Sequence, residues 1–141
     1  MAFADWTAIV GTWKLDAVKK RTGASSVLHD NAGVGRLRHN TFSEAQAYVK
    51  FYGDSNWTNI GCVHGTYGTI SATHGATGTW ICYEVYLWYD AASNTKWGRI
   101  KKGGVQEGAD TNFGAGAPAA GAIELYAADI NTNIDDVEVY A

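Results

Sequence analysis

Hydrophobic and polar residues alternate along much of this chain, most clearly over Thr79–Tyr89. Side chains of a β-strand point to opposite faces with a period of two, so this segment predicts one strand with two different faces. The aliphatic set suits the space between two sheets, and the aromatic and polar set faces outward. The first set is Ile81, Tyr83, Val85, Leu87 and Tyr89, and the second is Trp80, Cys82, Glu84, Tyr86 and Trp88.

Three further segments, Ala45–Tyr52, Ala122–Ala127 and Ile134–Tyr140, alternate in the same way. The second pattern predicts that Glu124 is exposed. The third places Asp135 on the same face as the two valines of its segment. Weaker strand patterns cover Thr12–Lys19, Ser25–His29, Gly33–His39, Asn59–His64 and Thr95–Lys102.

No segment of helical length shows apolar residues at helical spacing. We expect one short turn at the start of Trp6–Trp13 and a long loop over Phe113–Pro118. Parallel sheets need crossover helices, so the strands must pair antiparallel. The prediction is therefore all-β: a single domain over residues 1–141, folded as a two-sheet antiparallel jelly-roll β-sandwich.

Composition narrows the class of partner. The 141 residues carry a net charge of −3 with a pI near 5.7, and only 18% of them are charged. Nucleic-acid binding depends on clustered Lys and Arg, so no nucleic-acid partner is expected. No apolar run is long enough to cross a membrane, and the N-terminus has no signal-peptide pattern. We expect neither a membrane partner nor classical export.

Three short motifs carry a family resemblance. Asn133–Tyr140 reads Asn-Ile-Asp-Asp-Val-Glu-Val-Tyr and resembles the last strand of LamG-like and concanavalin A-like jelly rolls. Gly78–Val85 is similar to a Gly-x-Trp strand opening of that superfamily, and Ser43–Phe51 to its early x-Ala-x-Val-x-Phe strand. The order of the three agrees with the family. Galactose-binding-like sandwiches also end in Ile-Asp-Asp-Val, so the topology within the sandwich class stays open.

The resemblance implies a binding face. In lectin-like jelly rolls the concave sheet binds sugars, with aromatic rings on apolar sugar faces and carboxylates on hydroxyls. Tyr and Trp are also enriched where subunits meet. Three interpretations remain open for this face: glycan binding, subunit contact and ordinary packing. The candidate residues are Trp80, Glu84, Tyr86, Trp88, Trp97 and Arg99.

The same strand argues against hydrolysis. Retaining glycosidases need two carboxylates about 5 Å apart, and their strand signature on this fold repeats acids at alternate positions. Here Glu84 is followed by Tyr86 and Trp88 at those positions. We therefore predict no enzymatic activity. A polysaccharide lyase is the third alternative, since some lyases of this fold use His and Tyr. Its candidates are His64, His74, Tyr83 and Tyr86.

Asp135 and Asp136 are candidate ligands of a structural Ca²⁺, because jelly rolls often hold calcium through an Asp of this strand. Adjacent strand residues face opposite ways, so one of the two at most would join a given site. The alternative is an exposed strand with acidic residues. No other cofactor is expected. Further ligands would come from Asp5, Asp30 or Asn31.

Cys62 and Cys82 are the two cysteines of the chain. They are too few for a zinc site on their own. If their strands are neighbours they form one disulfide, and otherwise they are buried thiols. The sequence does not decide between a disulfide and two buried thiols.

Two function classes follow. The first is a non-catalytic structural or adhesive surface protein of a virus particle, such as a phage capsid decoration or a fibre-associated jelly roll. Its partners would be other virion proteins or copies of itself. The chain starts at Met1, shows no export signal and stops after its last predicted strand, which favours a small product destined for assembly. The alternative is an extracellular carbohydrate-binding module with a polysaccharide partner. The first is preferred.

Overall fold

The computed structural model describes residues 3–141, and β-strands dominate that range. A 3-10 turn over Phe3–Asp5 precedes the first strand. Within residues 3–141 there is no α-helix. The all-β prediction is confirmed. The strands are β1 Trp6–Val10, β2 Trp13–Asp16, β3 Ser26–His29, β4 Gly35–His39, β5 Ala47–Asp54, β6 Asn59–His64, β7 Gly68–Thr73, β8 Ile81–Asp90, β9 Thr95–Lys102, β10 Val105–Gln106, β11 Thr111–Ala115, β12 Ile123–Ala127 and β13 Thr132–Tyr140.

The strands form two antiparallel sheets that pack against each other. The smaller sheet has the order β1-β4-β12-β6-β7, and the larger has the order β10-β9-β8-β5-β13-β3-β2, with β11 also paired to β9. The chain crosses repeatedly between the sheets, for example from β4 to β5 and back to β6. This is the predicted two-sheet β-sandwich.

The core lies between the sheets and follows the alternation of the central strands. Val49 and Phe51 of β5 and Tyr83 and Val85 of β8 are fully buried, and the rings of Phe51 and Tyr83 stack at 5.3 Å. Each such side chain contributes roughly 1.5–3 kcal/mol when removed from water. Other members of the core are Trp6, Trp13, Val27, Leu37, Ala47, Ile60, Cys62, Tyr67, Ile70, Ala72, Leu87, Ile100, Ile123, Leu125, Ala127 and Ile134.

The predicted turn at the start of Trp6–Trp13 is wrong, because Trp6–Val10 forms edge strand β1. Four residues of that strand are exposed, so its alternation is weak in the sequence. The predicted loop over Phe113–Pro118 is partly wrong, since β11 extends to Ala115. Strand β7, built largely from small residues, was also missed.

A β-bulge interrupts strand β13. Asp135 pairs with Tyr52 and Glu138 with Lys50, so one more residue separates the pair on β13 than on β5. Asp136 lies within the bulge and has φ of 50°. This left-handed conformation is one that Asp tolerates better than most residues. Asp135 therefore lies on the outer face, whereas the two valines that follow pack against the core. The prediction that they share a face is wrong.

Glu124 is also placed differently from the prediction. Only 4% of it is exposed. Arg38 on the neighbouring strand β4 donates to its Oε1 from Nε at 2.9 Å and from Nη2 at 2.7 Å. The Arg36 Nε lies 3.1 Å from its other oxygen. The two arginines cover the carboxylate, which is why a residue on the outer face of the smaller sheet is buried.

The two cysteines are free thiols, so the disulfide alternative is wrong. Cys62 lies on β6 of the smaller sheet and is fully buried in the core. Cys82 lies on β8 of the larger sheet, opposite Tyr52. The strands belong to different sheets, and the side chain of Cys82 shares its direction with Glu84, away from the core. Burial raises the pKa of both thiols.

Candidate functional site

The outer face of the larger sheet gathers most of the predicted binding residues. Because Tyr83, Val85 and Leu87 of β8 are buried, the alternate residues Glu84, Tyr86 and Trp88 point away from the core. Strand β9 is paired so that Trp97 lies opposite Trp88, and Arg99 lies opposite Tyr86. We call the part of this face formed by β9, β8, the first half of β5 and the end of β13 the open half.

Trp80 does not join the open half as a strand residue. It lies one residue before β8, in a stretch without regular secondary structure, and is half-buried. The strand is shorter at this end because Gly78, with φ of 100°, belongs to the turn that precedes it. The prediction that Trp80 extends the alternating strand is wrong.

A row of aromatic rings crosses the open half. Strand pairing places Tyr140, Tyr48, Tyr86 and Arg99 side by side on four neighbouring strands, and we call them the tyrosine row. The centroid of the Tyr48 ring is 4.9 Å from that of Tyr86 and 5.9 Å from that of Tyr140. The Tyr48 and Tyr140 rings are stacked at an interplanar angle of 20°, whereas the Tyr48 and Tyr86 rings are tilted by 37°. Each ring of the row thus has a neighbouring ring in contact with it.

A row of charges runs beside the tyrosine row. Glu138, Lys50, Glu84 and Lys101 are direct neighbours on the same four strands, and we call them the charge row. Its signs alternate from one strand to the next. The hydroxyl of Tyr48 donates to Glu84 Oε1 at 2.8 Å. Partial burial and the neighbouring Glu84 carboxylate raise the pKa of Tyr48, so this hydroxyl remains a proton donor at neutral pH.

Arg99 is held rigidly at the edge of the open half. Its Nε and Nη2 donate to the two oxygens of Asp110 at 2.8 Å each. This bidentate bond lowers the pKa of the Asp110 carboxyl and raises the pKa of Arg99. The guanidinium carbon also lies 5.4 Å from the ring centre of Trp88, within reach of a cation–π contact.

A shallow depression of about 410 Å³ opens on this face. Ala47 and Leu87 form its floor where β5 meets β8, and the side chains of the open half form its walls. Lys101 Nζ lies 5.4 Å from the ring centre of Tyr86. The site therefore combines pre-positioned aromatic rings with fixed charges. This arrangement is suited to binding the surface of a partner molecule. Its wall residues are Tyr86, Trp88 and Arg99.

The other part of the outer face is covered by the connection between β2 and β3, residues 17–25. Asp135 Oδ2 accepts the backbone N–H groups of Arg21 at 3.0 Å and Thr22 at 3.2 Å. Asp136 pairs with the guanidinium of Arg21 and the hydroxyl of Thr22. The same guanidinium lies 3.4 Å above the ring centre of Tyr52. We call this part of the molecule the loop-covered end.

These contacts bear on the predicted calcium site. Asp135 and Asp136 hold the backbone and side chains of residues 21 and 22, so their oxygens are engaged by protein donors. Asp30 pairs instead with Lys14 at 2.7 Å, and Asn31 accepts from the backbone of Thr12. Among residues 3–141 no group of three His, Cys, Asp or Glu side chains could hold a metal ion. Calcium binding stays a prediction that this arrangement does not favour.

Asp54, His74 and Tyr83 form a buried cluster at the loop-covered end. The Tyr83 hydroxyl lies 2.7 Å from His74 Nδ1, and His74 Nε2 lies 3.0 Å from the Thr79 carbonyl and 3.1 Å from Asp54 Oδ1. These partners place the proton on Nε2, so Nδ1 accepts from the tyrosine. Burial lowers the pKa of His74, which keeps the ring neutral.

The lyase candidates do not come together at an accessible site. His74 and Tyr83 are in contact but both are buried. His64 lies on β6 of the smaller sheet, where its Nε2 donates to the Glu44 carbonyl at 2.8 Å. Tyr86 lies on the outer face of the larger sheet. The four residues therefore occupy three separate environments.

Five residues of the open half were not among the predicted site residues. Alternation in the sequence places the β5 and β13 residues of this set on the outer face of their strands. It does not reveal which strands are neighbours in the sheet. The order β13-β5-β8-β9 supplies that information. The five are Tyr48, Lys50, Lys101, Glu138 and Tyr140.

No protein-family model, curated protein or solved structure gives a significant match to this chain. The resemblance to LamG-like and concanavalin A-like jelly rolls therefore stays a prediction beyond the shared β-sandwich architecture. Within residues 3–141 we find no helix with the length and apolar character required to span a membrane.

Proposed function

We propose that this chain is a non-catalytic structural protein that assembles through the open half of its larger sheet, and that its first partner on this face is a second copy of itself. The observation that carries the proposal is the charge row. Its order, Glu138, Lys50, Glu84, Lys101, alternates in sign across four paired strands. Reversing the row exchanges every negative position for a positive one.

A two-fold axis performs this reversal. Closed homodimers use the same patch on both subunits. With the axis parallel to the strands and between β5 and β8, Lys50 of one copy faces Glu84 of the other, and Glu138 faces Lys101. No two like charges of the charge row face each other across the axis. The same rotation places Tyr140 against Arg99 and Tyr48 against Tyr86, so the tyrosine row supplies aromatic contacts at the centre of the interface.

The packing of the rings favours a protein partner over a sugar on this face. Stacking on a sugar requires a free ring face. The rings of Tyr48, Tyr86 and Tyr140 lie against one another, Lys101 approaches Tyr86, and Arg99 approaches Trp88. Hydroxyl groups, ring edges and fixed charges remain, and these match the polar and aromatic composition of protein interfaces.

The setting we propose for this assembly is the surface of a virus particle, as a capsid decoration or a fibre-associated protein. The low charge content and the wealth of small polar residues suit a protein held by many contacts. Mass spectrometry of particles purified from the source would detect this chain among the virion proteins. Its consistent absence from such particles would contradict the virion role but leave the self-association proposal intact.

The assembly face is tested by sedimentation velocity of three proteins: the parent chain, Lys50→Glu and Lys20→Glu. Lys20 lies on the exposed connection outside the open half, so it is the matched charge reversal. We expect a dimer for the parent and for Lys20→Glu. We expect a monomer for Lys50→Glu, because two like-charged pairs then face each other across the axis. A monomeric parent chain, or a dimer that survives Lys50→Glu, would overturn the proposal.

A further inference from the structure

A second, polar pocket lies at the loop-covered end and is independent of the proposed assembly face. Its volume is about 390 Å³. It is built by five parts of the chain: the end of β2 with the connection that follows it, strand β3, the turn after β5, the turn before β8 and the residues around the start of β13. Its polar lining consists of Asp16, Lys19, Asn56, Thr77, Asn131 and Asn133.

The charges of this pocket are already arranged. Asp16 Oδ1 accepts the backbone N–H groups of Val18 at 2.9 Å and Lys19 at 3.0 Å. The backbone bond from Lys19 is the largest influence that lowers the pKa of Asp16, so the carboxylate is ionised at neutral pH. Lys19 Nζ lies 3.0 Å from Asp54 Oδ2 and donates to Thr77 Oγ1 at 3.2 Å. The one cation in the lining is thus neutralised, which disfavours an anionic ligand.

The amide groups remain available to a ligand. Within residues 3–141 the side-chain amides of Asn56 and Asn131 have no hydrogen-bond partner. Each amide offers both donors and an acceptor. Asn133 Nδ2 donates to Asp16 Oδ2 and Ser26 Oγ, both at 3.1 Å, which fixes its orientation. Paired donors and acceptors without net positive charge match hydroxyl groups, which also donate and accept.

The residue that follows the pocket-lining Asn56 in the chain is an exposed tryptophan. Trp57 follows Asn56 directly and is 71% exposed. Its φ is 53°, a region that is strained for a bulky side chain. Its backbone N–H donates to the Gly75 carbonyl at 2.6 Å, which holds the turn. A large apolar ring held in solvent by a strained turn gains nothing for folding, and such outliers point to function.

We propose that this pocket binds a neutral saccharide, with the amides and Asp16 bonding its hydroxyl groups and the Trp57 ring packing on its apolar face. The pocket, the free amides and the exposed ring each support the same ligand class. None of these residues belongs to the open half, so the proposal stands whether or not the chain dimerises.

The test uses the full chain made in bacteria, because Asn56-Trp57-Thr58 has the Asn-x-Thr pattern of an N-glycosylation acceptor and carries no glycan there. The ¹⁵N-labelled protein is titrated with short neutral oligosaccharides of glucose, galactose, mannose and N-acetylglucosamine, and with their sulfated forms. We expect amide shifts at Asn56, Thr77 and Asn131 with at least one neutral oligosaccharide, and weaker shifts with its sulfated form. Trp57→Ala and Asn56→Ala should each weaken the affinity about tenfold, equivalent to about 1.4 kcal/mol.

Trp88→Ala is the matched control, because it removes a Trp from the open half and should leave the saccharide affinity unchanged. Thermal unfolding of all variants checks the fold, and the exposed Trp57 should be replaceable without loss of Tm. The proposal is overturned if none of the neutral oligosaccharides binds at millimolar concentration. It is also overturned if the shifts lie at Tyr86 and Trp88, or if the sulfated forms bind more tightly.

Discussion

The loop-covered end and the open half belong to the same larger sheet, yet they use similar residues in opposite ways. At the loop-covered end the carboxylates of Asp54 and Asp135 are buried and accept backbone N–H groups. In the open half the carboxylates of Glu84 and Glu138 stand among lysines and tyrosine hydroxyls at the surface. Whether a loop covers the sheet decides whether an acidic residue stabilises the fold or remains available to a partner.

The two regions also differ in how much free energy of unfolding is lost when a carboxylate is removed. A buried carboxylate that satisfies backbone donors leaves those donors unpaired when it is removed, at a cost of about 1–3 kcal/mol for each group. An exposed ion pair contributes only about 0–1 kcal/mol. The comparison therefore predicts that substitutions separate into two classes. Those at the loop-covered end change the free energy of unfolding, and those in the open half change assembly.

The largest effect is expected from Asp54→Ala. Asp54 is 1% exposed and accepts the Gly78 N–H at 3.0 and 3.1 Å while pairing with Lys19 and His74. Its removal should lower the free energy of unfolding by about 3 kcal/mol, measured by urea denaturation at a protein concentration that keeps the chain monomeric. Glu84→Ala in the open half is the control and should cost about 1 kcal/mol or less. Equal losses at the two positions would erase the distinction between the two regions.

Asp135→Asn should have the next largest effect. Oδ2 of Asp135 accepts two backbone N–H groups, and its Oδ1 accepts the N–H of Asp136 at 2.8 Å. An amide has only one oxygen, so its NH₂ group must face at least one of these donors. We expect a loss of about 2 kcal/mol in urea denaturation. Glu138→Gln, the matched change in the open half, should leave the midpoint unchanged, and a shift as large as that of Asp135→Asn would count against the division into two classes.

The sequence pattern predicts the central strands of the fold better than an edge strand or the bulge. Period-two alternation identified β8 and β5 because their inner residues are large and apolar. It failed for β1, whose outer residues include exposed Ile9 and Val10, and at the β13 bulge, where one inserted residue changes the parity. A bulge depends on how two strands pair, so the sequence of one strand alone shows no pattern for it.

The candidate site was predictable only in part, for a similar reason. Glu84, Tyr86, Trp88, Trp97 and Arg99 lie on two strands that are adjacent in sequence and in space, so alternation sufficed. The other residues of the open half are Lys101 of β9 and residues of β5 and β13, and only the strand order shows that β5 and β13 lie beside β8. The polar pocket is formed by residues from distant parts of the chain, and no local sequence pattern indicates that they converge.

Mildly acid pH provides a smaller effect, which acts through the two buried histidines His64 and His74. Burial lowers the pKa of both His64 and His74. Below about pH 6.5 these histidines bind protons in the unfolded chain but remain neutral in the folded one. Stability should therefore fall as the pH drops from about 6.5 towards the lowered folded-state values, by about 1.4 kcal/mol for each pKa unit. Urea denaturation between about pH 7.5 and pH 5 measures the slope.

Replacement of His74 by Gln should reduce that slope, although it lowers stability at every pH by weakening the contacts with Tyr83 and Asp54. A stability that stays constant over this pH range in the parent chain would contradict the neutral buried state of the two histidines.

The smallest change in stability is expected from Tyr86→Phe in the open half. The Tyr86 hydroxyl lies 3.5 Å from Glu84 Oε1, too long for a strong hydrogen bond, and the ring packing with Tyr48 is retained. Thermal unfolding should therefore be unchanged, whereas Tyr83→Phe at the loop-covered end should lower the free energy of unfolding by about 1 kcal/mol through loss of the bond to His74. A larger effect at Tyr86 than at Tyr83 would reverse the expected order.

The most direct test of the two-fold assembly mixes two charge-reversal variants, Lys50→Glu and Glu84→Lys. Each variant alone opposes like charges across the axis and should sediment as a monomer. In an equal mixture the introduced glutamate of one variant faces the introduced lysine of the other, and the unchanged Glu84 of the first faces the unchanged Lys50 of the second. A heterodimer should therefore form with the mass of the parent dimer. If the mixture stays monomeric while the parent chain is a dimer, the two-fold arrangement of the open half is contradicted.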